Sequence, residues 1–250
     1  MDDREEDAGE VPASCRQICG DTTGLARQIA RRQAQLWPRL RAEHSLDGER
    51  SIGMPAHDIE EAIMDATTIM TIDQLMCSDL ADERVELIAG VVYRMTPAGG
   101  RHGLVCSNVL IILGQYVRER SLGALFTPDT GFLLRRAPDT LRCPDVAFVS
   151  TARLAEYGIG PGMMTAPPDL AVEILSPSNS ARYMNDKIRD YFDAGVRLVW
   201  VIDPGARTVT RWAPGEAIRT ALESDTIDGG EVVPGLSCAV ASFFEGVPQD

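Results

Sequence analysis

Two carboxylates and one ammonium carry the chemistry that this sequence offers. Asp145 in CPDVAFV and Glu173 in DLAVEILS interrupt runs that are otherwise apolar. A carboxylate in such a strand is costly to desolvate unless it is paired or bound to a metal. One of them alone is explained by a strand end, where the charge reaches water or an arginine. Two on strands that share one core shift the reading toward a functional pair. The third group is Lys187, in RYMNDKIRDYF, and it is the only lysine among 24 basic residues. Lysine is a compact point charge whose pKa moves on burial, whereas arginine is a fork that stays protonated. Lys187 is either a solvated helix residue paired with Asp186 or Asp190, or an ammonium reaching back toward the strand ends. The isolation of this one lysine favours the second reading.

An Asp, a Glu and a Lys gathered at strand ends have a definite use. Two carboxylates suit Mg²⁺ or Mn²⁺, which prefer hard oxygen ligands. Such an ion polarises a phosphoryl group and lowers the pKa of a bound water. A nearby ammonium stabilises the attacking hydroxide or the charge that develops on phosphorus.

The elements that must position these groups begin at Met70. TIDQLMCSDL reads as a helix with Thr71 as its N-cap. RVELIAGVVYRMTP reads as two strands joined at Ala89-Gly90. RHGLVCSNVLIILGQYVRERS has apolar residues Leu104, Val109, Leu110, Leu113 and Val117 at helical spacing. ALFTPDTGFLLR gives two short strands broken at Pro128-Asp129, where Asp129 serves the turn. RCPDVAFVS is a strand starting at Pro144, and DLAVEILS is a strand buried on both faces. SNSARYMNDKIRDYFDAG is a helix capped by Ser180 and ended by Gly195. Its buried stripe is expected to be Met184, Ile188 and Phe192, with Tyr183, Lys187 and Tyr191 on an adjoining face. RLVWVIDP is a further buried strand, RTVTRWAPG and AIRTALE continue as hairpin strands, and VVPGLSCAVASFF closes the domain. Helices between apolar strands predict an α/β fold, a sheet covered by helices on both sides.

Residues 1–65 read differently, with an arginine- and glutamine-rich helical patch between acidic stretches. They are expected to form an N-terminal extension, partly helical or disordered, ahead of one domain over 66–250. The chain carries 44% hydrophobic and 24% charged residues, an ordinary globular balance. No run approaches a membrane span of roughly 18–20 apolar residues, and the acidic N-terminus has no signal-peptide core. A cytoplasmic protein that does not enter membranes is expected. Six scattered cysteines, with only Cys15 and Cys19 close together, point to reduced thiols rather than zinc or disulfides. A net charge of −13 excludes coating of nucleic acid by bulk electrostatics. Contact with a phosphodiester must be local and aided by metal ions, or helped by a homodimer or another subunit.

The order PD…(D/E)xK on an α/β sheet resembles the restriction-endonuclease-like superfamily. The fuller set of segments is similar to its Uma2 family: VELIAGVVYRMTPAGGRHG, PDTGFLL, RCPDVAFVS, PDLAVEILSPSNS and DKIRDYFDAGVRLVWVIDP. The resemblance runs from about Met70 to the C-terminus. It implies that the sheet is mixed and restriction-endonuclease-like, flanked by helices. It also implies Asp145 and Glu173 as metal ligands, with Glu86 of VELIAG as a further acid. Where the superfamily places its lysine two residues after the glutamate, this chain has Leu175. The resemblance implies that the lysine has moved to the following helix, where only Lys187 fills the role. Three further residues are candidates for contact with substrate. His102, at a helix start in AGGRHGLV, either binds phosphate or acts as a base, or else caps a Gly-rich turn; Arg101 is similar. Tyr191 either hydrogen-bonds a site carboxylate or only packs.

The function expected is a Mg²⁺- or Mn²⁺-dependent endonuclease acting on DNA. The rival is a catalytically silent nuclease fold that serves as a partner-binding subunit. A flavodoxin- or Rossmann-like enzyme is disfavoured, because no Gly-rich loop follows the first strand.

Overall fold

The computed structural model describes residues 69–176 and 179–248, so the expected N-terminal extension, Cys15 and Cys19 lie outside the described residues. The chain divides into two compact units, Met1–Arg94 and Met95–Asp250.

In the first unit, helix α1 (Ile72–Met76) starts from a capping box. The Gln74 amide donates to Thr71 Oγ1, and Thr71 N–H donates back to Gln74 Oε1 at 2.8 Å. Strands β1 (Val85–Ile88) and β2 (Val91–Arg94) pair antiparallel, with Glu86 opposite Tyr93. Ala89 and Gly90 both have positive φ, 48° and 84°, the turn that matches strand twist in a two-residue hairpin. Position 90 also needs glycine for space, because a Cβ there would meet Ile69 Cγ2 at 1.8 Å. Val85, Glu86 and Leu87 are all buried.

The second unit is built on a six-stranded sheet. Its strands are β3 (Gly123–Phe126), β6 (Val146–Ser150), β7 (Leu170–Ile174), β8 (Leu198–Asp203), β9 (Thr208–Trp212) and β10 (Arg219–Ala221). They lie in the order β10-β9-β8-β7-β6-β3. The β7–β8 pair is parallel and the other four are antiparallel. A parallel pair needs a crossover, and helix α4 (Ala181–Asp193) supplies it. Strands β4 (Phe132–Arg135) and β5 (Thr140–Arg142) form an antiparallel pair with an irregularity near Leu133–Arg135. Strands β11 (Thr226–Asp228) and β12 (Ser237–Ala239) form another, followed by a 3₁₀ turn over Val240–Phe244.

The two faces of the sheet receive different helices because strand residues alternate. Helix α2 (Gly100–Glu119) lays Val105, Val109, Leu113 and Val117 over Val146, Phe148, Leu170, Val172, Ile174 and Trp200. Each such side chain taken from water stabilises the fold by roughly 1.5–3 kcal/mol. On the other face, Met184, Ile188 and Tyr191 of α4 pack with Ala171, Val199 and Val201. Glu173 has the parity of Ala171 and therefore points toward α4.

The structure departs from the expected elements at several points. Strand β6 begins at Val146, and Asp145 sits in a bend ahead of it. Arg142 belongs to β5, and the short helix α3 (Thr151–Tyr157), capped by Ser150, follows β6 directly. On α4 it is Tyr191 that is buried, while Phe192 is half-exposed; on α2, Leu104 is exposed. Among the described residues the four cysteines form no disulfide, and no helix is long and apolar enough to cross a membrane.

Candidate active site

Val146 pairs with Val172. Asp145 and Glu173, each one residue further on, therefore come side by side at one end of neighbouring strands. Asp145 is tied to the second strand by its own side chain: Ile174 N–H donates to Asp145 Oδ2 at 2.8 Å. The Asp145 side chain is thus fixed to the backbone just beyond Glu173, although Asp145 itself lies ahead of the paired strand.

Each carboxylate has its own set of donors. Lys187 Nζ donates to Glu173 Oε2 at 2.8 Å, and Tyr191 Oη donates to Glu173 Oε1 at 2.5 Å. Both donors come from α4, four residues apart and so on one face. Nζ also lies 3.4 Å from the Cys143 carbonyl oxygen, on the segment that leads into Asp145. Glu173 and Lys187 are only 4% and 3% exposed. A charge buried this deeply is tolerable only when it is paired. Lys187 is thus fully in the core, not at its margin, and its partner is neither Asp186 nor Asp190. Tyr191 both packs and donates a hydrogen bond to the carboxylate.

Asp145 is held from the other face of the sheet. His102, in the first turn of α2, places Nε2 3.1 Å from Asp145 Oδ2. That contact to a carboxylate requires the proton on Nε2, which in the neutral ring leaves Nδ1 as the lone-pair nitrogen. The Cys106 thiol, one turn along, donates weakly to the Asp145 carbonyl at 3.4 Å. Among the described residues, Asp145 Oδ1 accepts no hydrogen bond. Arg101, half-buried beside His102, is near enough to Arg207 for their positive charges to repel. Glu86 lies on β1 of the first unit and is fully buried.

The sequence gives no sign of Arg142, and offers Asp190 only as a surface partner for Lys187. Arg142 is buried on β5 and donates to Asp190 of α4 at 2.9 and 2.6 Å. Nothing in TLRCPD marks its arginine. The one available signal was that Tyr183, Lys187 and Asp190 share a helix face at four- and three-residue steps.

The model of the Uma2 family, described as "Putative restriction endonuclease", matches residues 72–241. This chain belongs to the Uma2 family. A crystal structure from Anabaena variabilis ATCC 29413, described as "a putative nuclease belonging to DUF820", is similar in fold. It is 20% identical, with a TM-score of 0.57, over 64% of this chain and 89% of that one. No curated protein matches the chain. The Uma2 chain thus has a mixed sheet flanked by helices of the nuclease-fold kind.

Among the described residues, no three or more His, Cys, Asp and Glu side chains converge as a ready-made cage. Mg²⁺ does not demand one, since it is commonly held by one or two carboxylates and keeps several waters. Asp145 offers Oδ1, whereas both oxygens of Glu173 already accept hydrogen bonds from Lys187 and Tyr191.

Proposed function

We propose that this protein is a metal-dependent nuclease that hydrolyses phosphodiester bonds of DNA. The observation that carries the reading is the buried contact of Lys187 with Glu173, on the strand beside Asp145. A buried lysine–glutamate pair is a poor way to stabilise a core compared with apolar packing. Its presence among Ala171, Met184 and Ile188 is better accounted for by chemistry.

Asp145 and Glu173 would hold Mg²⁺ or Mn²⁺. When bound, the cation supplies positive charge to the phosphate and acidifies a water. The chain's own residues do the rest. Ile174 N–H and His102 fix the Asp145 carboxylate through Oδ2, which leaves Oδ1 directed elsewhere. Lys187 keeps a positive charge against Glu173, where it offsets the negative charge gathered during attack on phosphorus. Tyr191 orients the same carboxylate. His102 and Arg101, at the start of α2, are the residues assigned to contact the substrate backbone. The acidic balance of the chain makes such local contacts necessary.

One observation favours a second reading, a silent nuclease fold that binds a partner. Both oxygens of Glu173 already accept hydrogen bonds from the protein, which is how a retired site would close. Incubating supercoiled plasmid, single-stranded DNA and RNA with the protein in Mg²⁺ or Mn²⁺ separates the two. Cleavage of DNA that is abolished in Lys187→Met and Glu173→Gln supports the nuclease. No cleavage of any substrate, or equal cleavage by the variants, supports the silent module.

A further inference from the structure

Arg142 stands outside the carboxylate–lysine set, yet after Trp200 it is the largest fully buried side chain described, at 1% exposure. Its Nε and Nη2 both donate to Asp190 Oδ2, at 2.9 and 2.6 Å. Its guanidinium carbon lies 5.5 Å from the centre of the Tyr183 ring. Both partners are on α4 and flank Lys187, four residues before it and three after, on the same face. On the strand side, Arg142 is the last residue of β5 and directly precedes Cys143, whose carbonyl accepts from Lys187. Asp145 follows two residues later.

Arg142 therefore joins the segment that leads into Asp145 to the helix that carries Lys187 and Tyr191. Apolar contacts of Met184 and Ile188 hold α4 against the sheet, but such contacts are non-directional. They resist separation more than a small slide or rotation of the helix. The four-carbon stem of lysine adds further freedom. Two charge-assisted hydrogen bonds from the guanidinium, converging on one carboxylate oxygen, are directional and resist both motions.

We propose that Arg142 and Asp190 are positioning residues, which act through α4 to hold the Lys187 ammonium on Glu173. This rests on the reading of Glu173 and Lys187 as the centre of the site, and adds what keeps them in register.

The single lysine makes the test direct. Full-length protein labelled with carbon-13 lysine gives one Hε–Cε resonance, free of overlap. In the wild type the two Hε protons are expected to be resolved, as for a held side chain. In Asp190→Asn and Arg142→Met they collapse toward the values of free lysine. Acetylation of Lys187 by acetic anhydride, referenced to the α-amino group, rises roughly tenfold, the factor expected for one lost charge-assisted hydrogen bond. Asp190→Glu, which keeps the carboxylate, returns both readouts toward wild type. Arg207→Met breaks an ion pair with Glu223 that does not involve α4, and leaves both readouts unmoved. If Arg142→Met does not fold, the near-isosteric Asp190→Asn carries the test. An unchanged resonance and rate in folded Asp190→Asn overturns the proposal, as does an equal change in Arg207→Met. Mn²⁺ binding separates this from the nuclease reading. A lysine that moves in a protein that binds no Mn²⁺ supports the positioning role and overturns the nuclease. A metal that binds beside an unmoved lysine does the reverse.

Discussion

Lys187 and Glu173 meet at 2.8 Å across the parallel crossover, the ammonium on α4 and the carboxylate on β7, both almost wholly out of water. Lys187 lies fourteen positions after Glu173, and the Ser180 hydroxyl caps α4 by accepting from Tyr183 N–H. The strand, the cap and the helix together set where the ammonium lies.

A buried pair leaves a signature in stability. Lys187→Met strands a buried carboxylate and Glu173→Gln strands a buried ammonium. Each is expected to lower stability by about 3 kcal/mol. The double variant loses much less than the sum, because no unpaired charge remains in the core. Urea denaturation of the four proteins measures the coupling; additive losses would mean that the two groups do not interact in solution.

Tyr191→Phe removes one donor to a charged acceptor and keeps the packing of the ring. A loss of about 2 kcal/mol is expected, with the circular dichroism spectrum unchanged. A loss near zero would assign Tyr191 to packing alone.

Much of this arrangement was legible in the chain. The helices α2 and α4 announce themselves by apolar spacing and, for α4, by Ser180 and Gly195 at its ends; Gly195 takes a φ of 89° just past the cap. Asp145, Glu173 and Lys187 are conspicuous because each is an unexpected type in its setting. Their partners were less legible. His102 reaches Asp145 across 43 residues and Arg142 reaches Asp190 across 48, and no local pattern encodes such crossings. Strand β5 was missed because three residues, TLR, are too few to show alternation. Asp145 was read as strand because PDVAFV is continuous, whereas its side chain bonds the neighbouring backbone from a bend. Phe192 was expected inside by hydrophobicity, but the hydrogen bond from Tyr191 to Glu173 settles which aromatic faces the sheet.

His102 fixes Asp145 through Oδ2, so its loss should be felt in metal affinity rather than in folding. In His102→Ala, Mn²⁺ is expected to bind about tenfold more weakly, in line with the loss of a group that orients a ligand. Isothermal titration with a parallel thermal melt separates the effects. Unchanged affinity would remove His102 from the site.

Cys238, on β12, tests burial in the second unit. Burial alone pushes its thiol up to about 11 from an ordinary value of 9.0. A raised value means a smaller thiolate fraction at neutral pH, and only the thiolate is nucleophilic. Alkylation of Cys238, followed by peptide mass spectrometry, is therefore expected to be slow at pH 8 and still accelerating above roughly pH 10. A rate that levels off by roughly pH 10, as for an ordinary thiol, would contradict the burial.

The proposed nuclease requires Asp145 and Glu173 to form a divalent-metal site. Free Mn²⁺ followed by electron paramagnetic resonance, as the ion is titrated into wild-type protein and Asp145→Asn/Glu173→Gln, tests it most directly. Circular dichroism shows whether the variant is folded. Wild type is expected to take up Mn²⁺ and the folded variant is not. Equal uptake by both, or none by either, would contradict it.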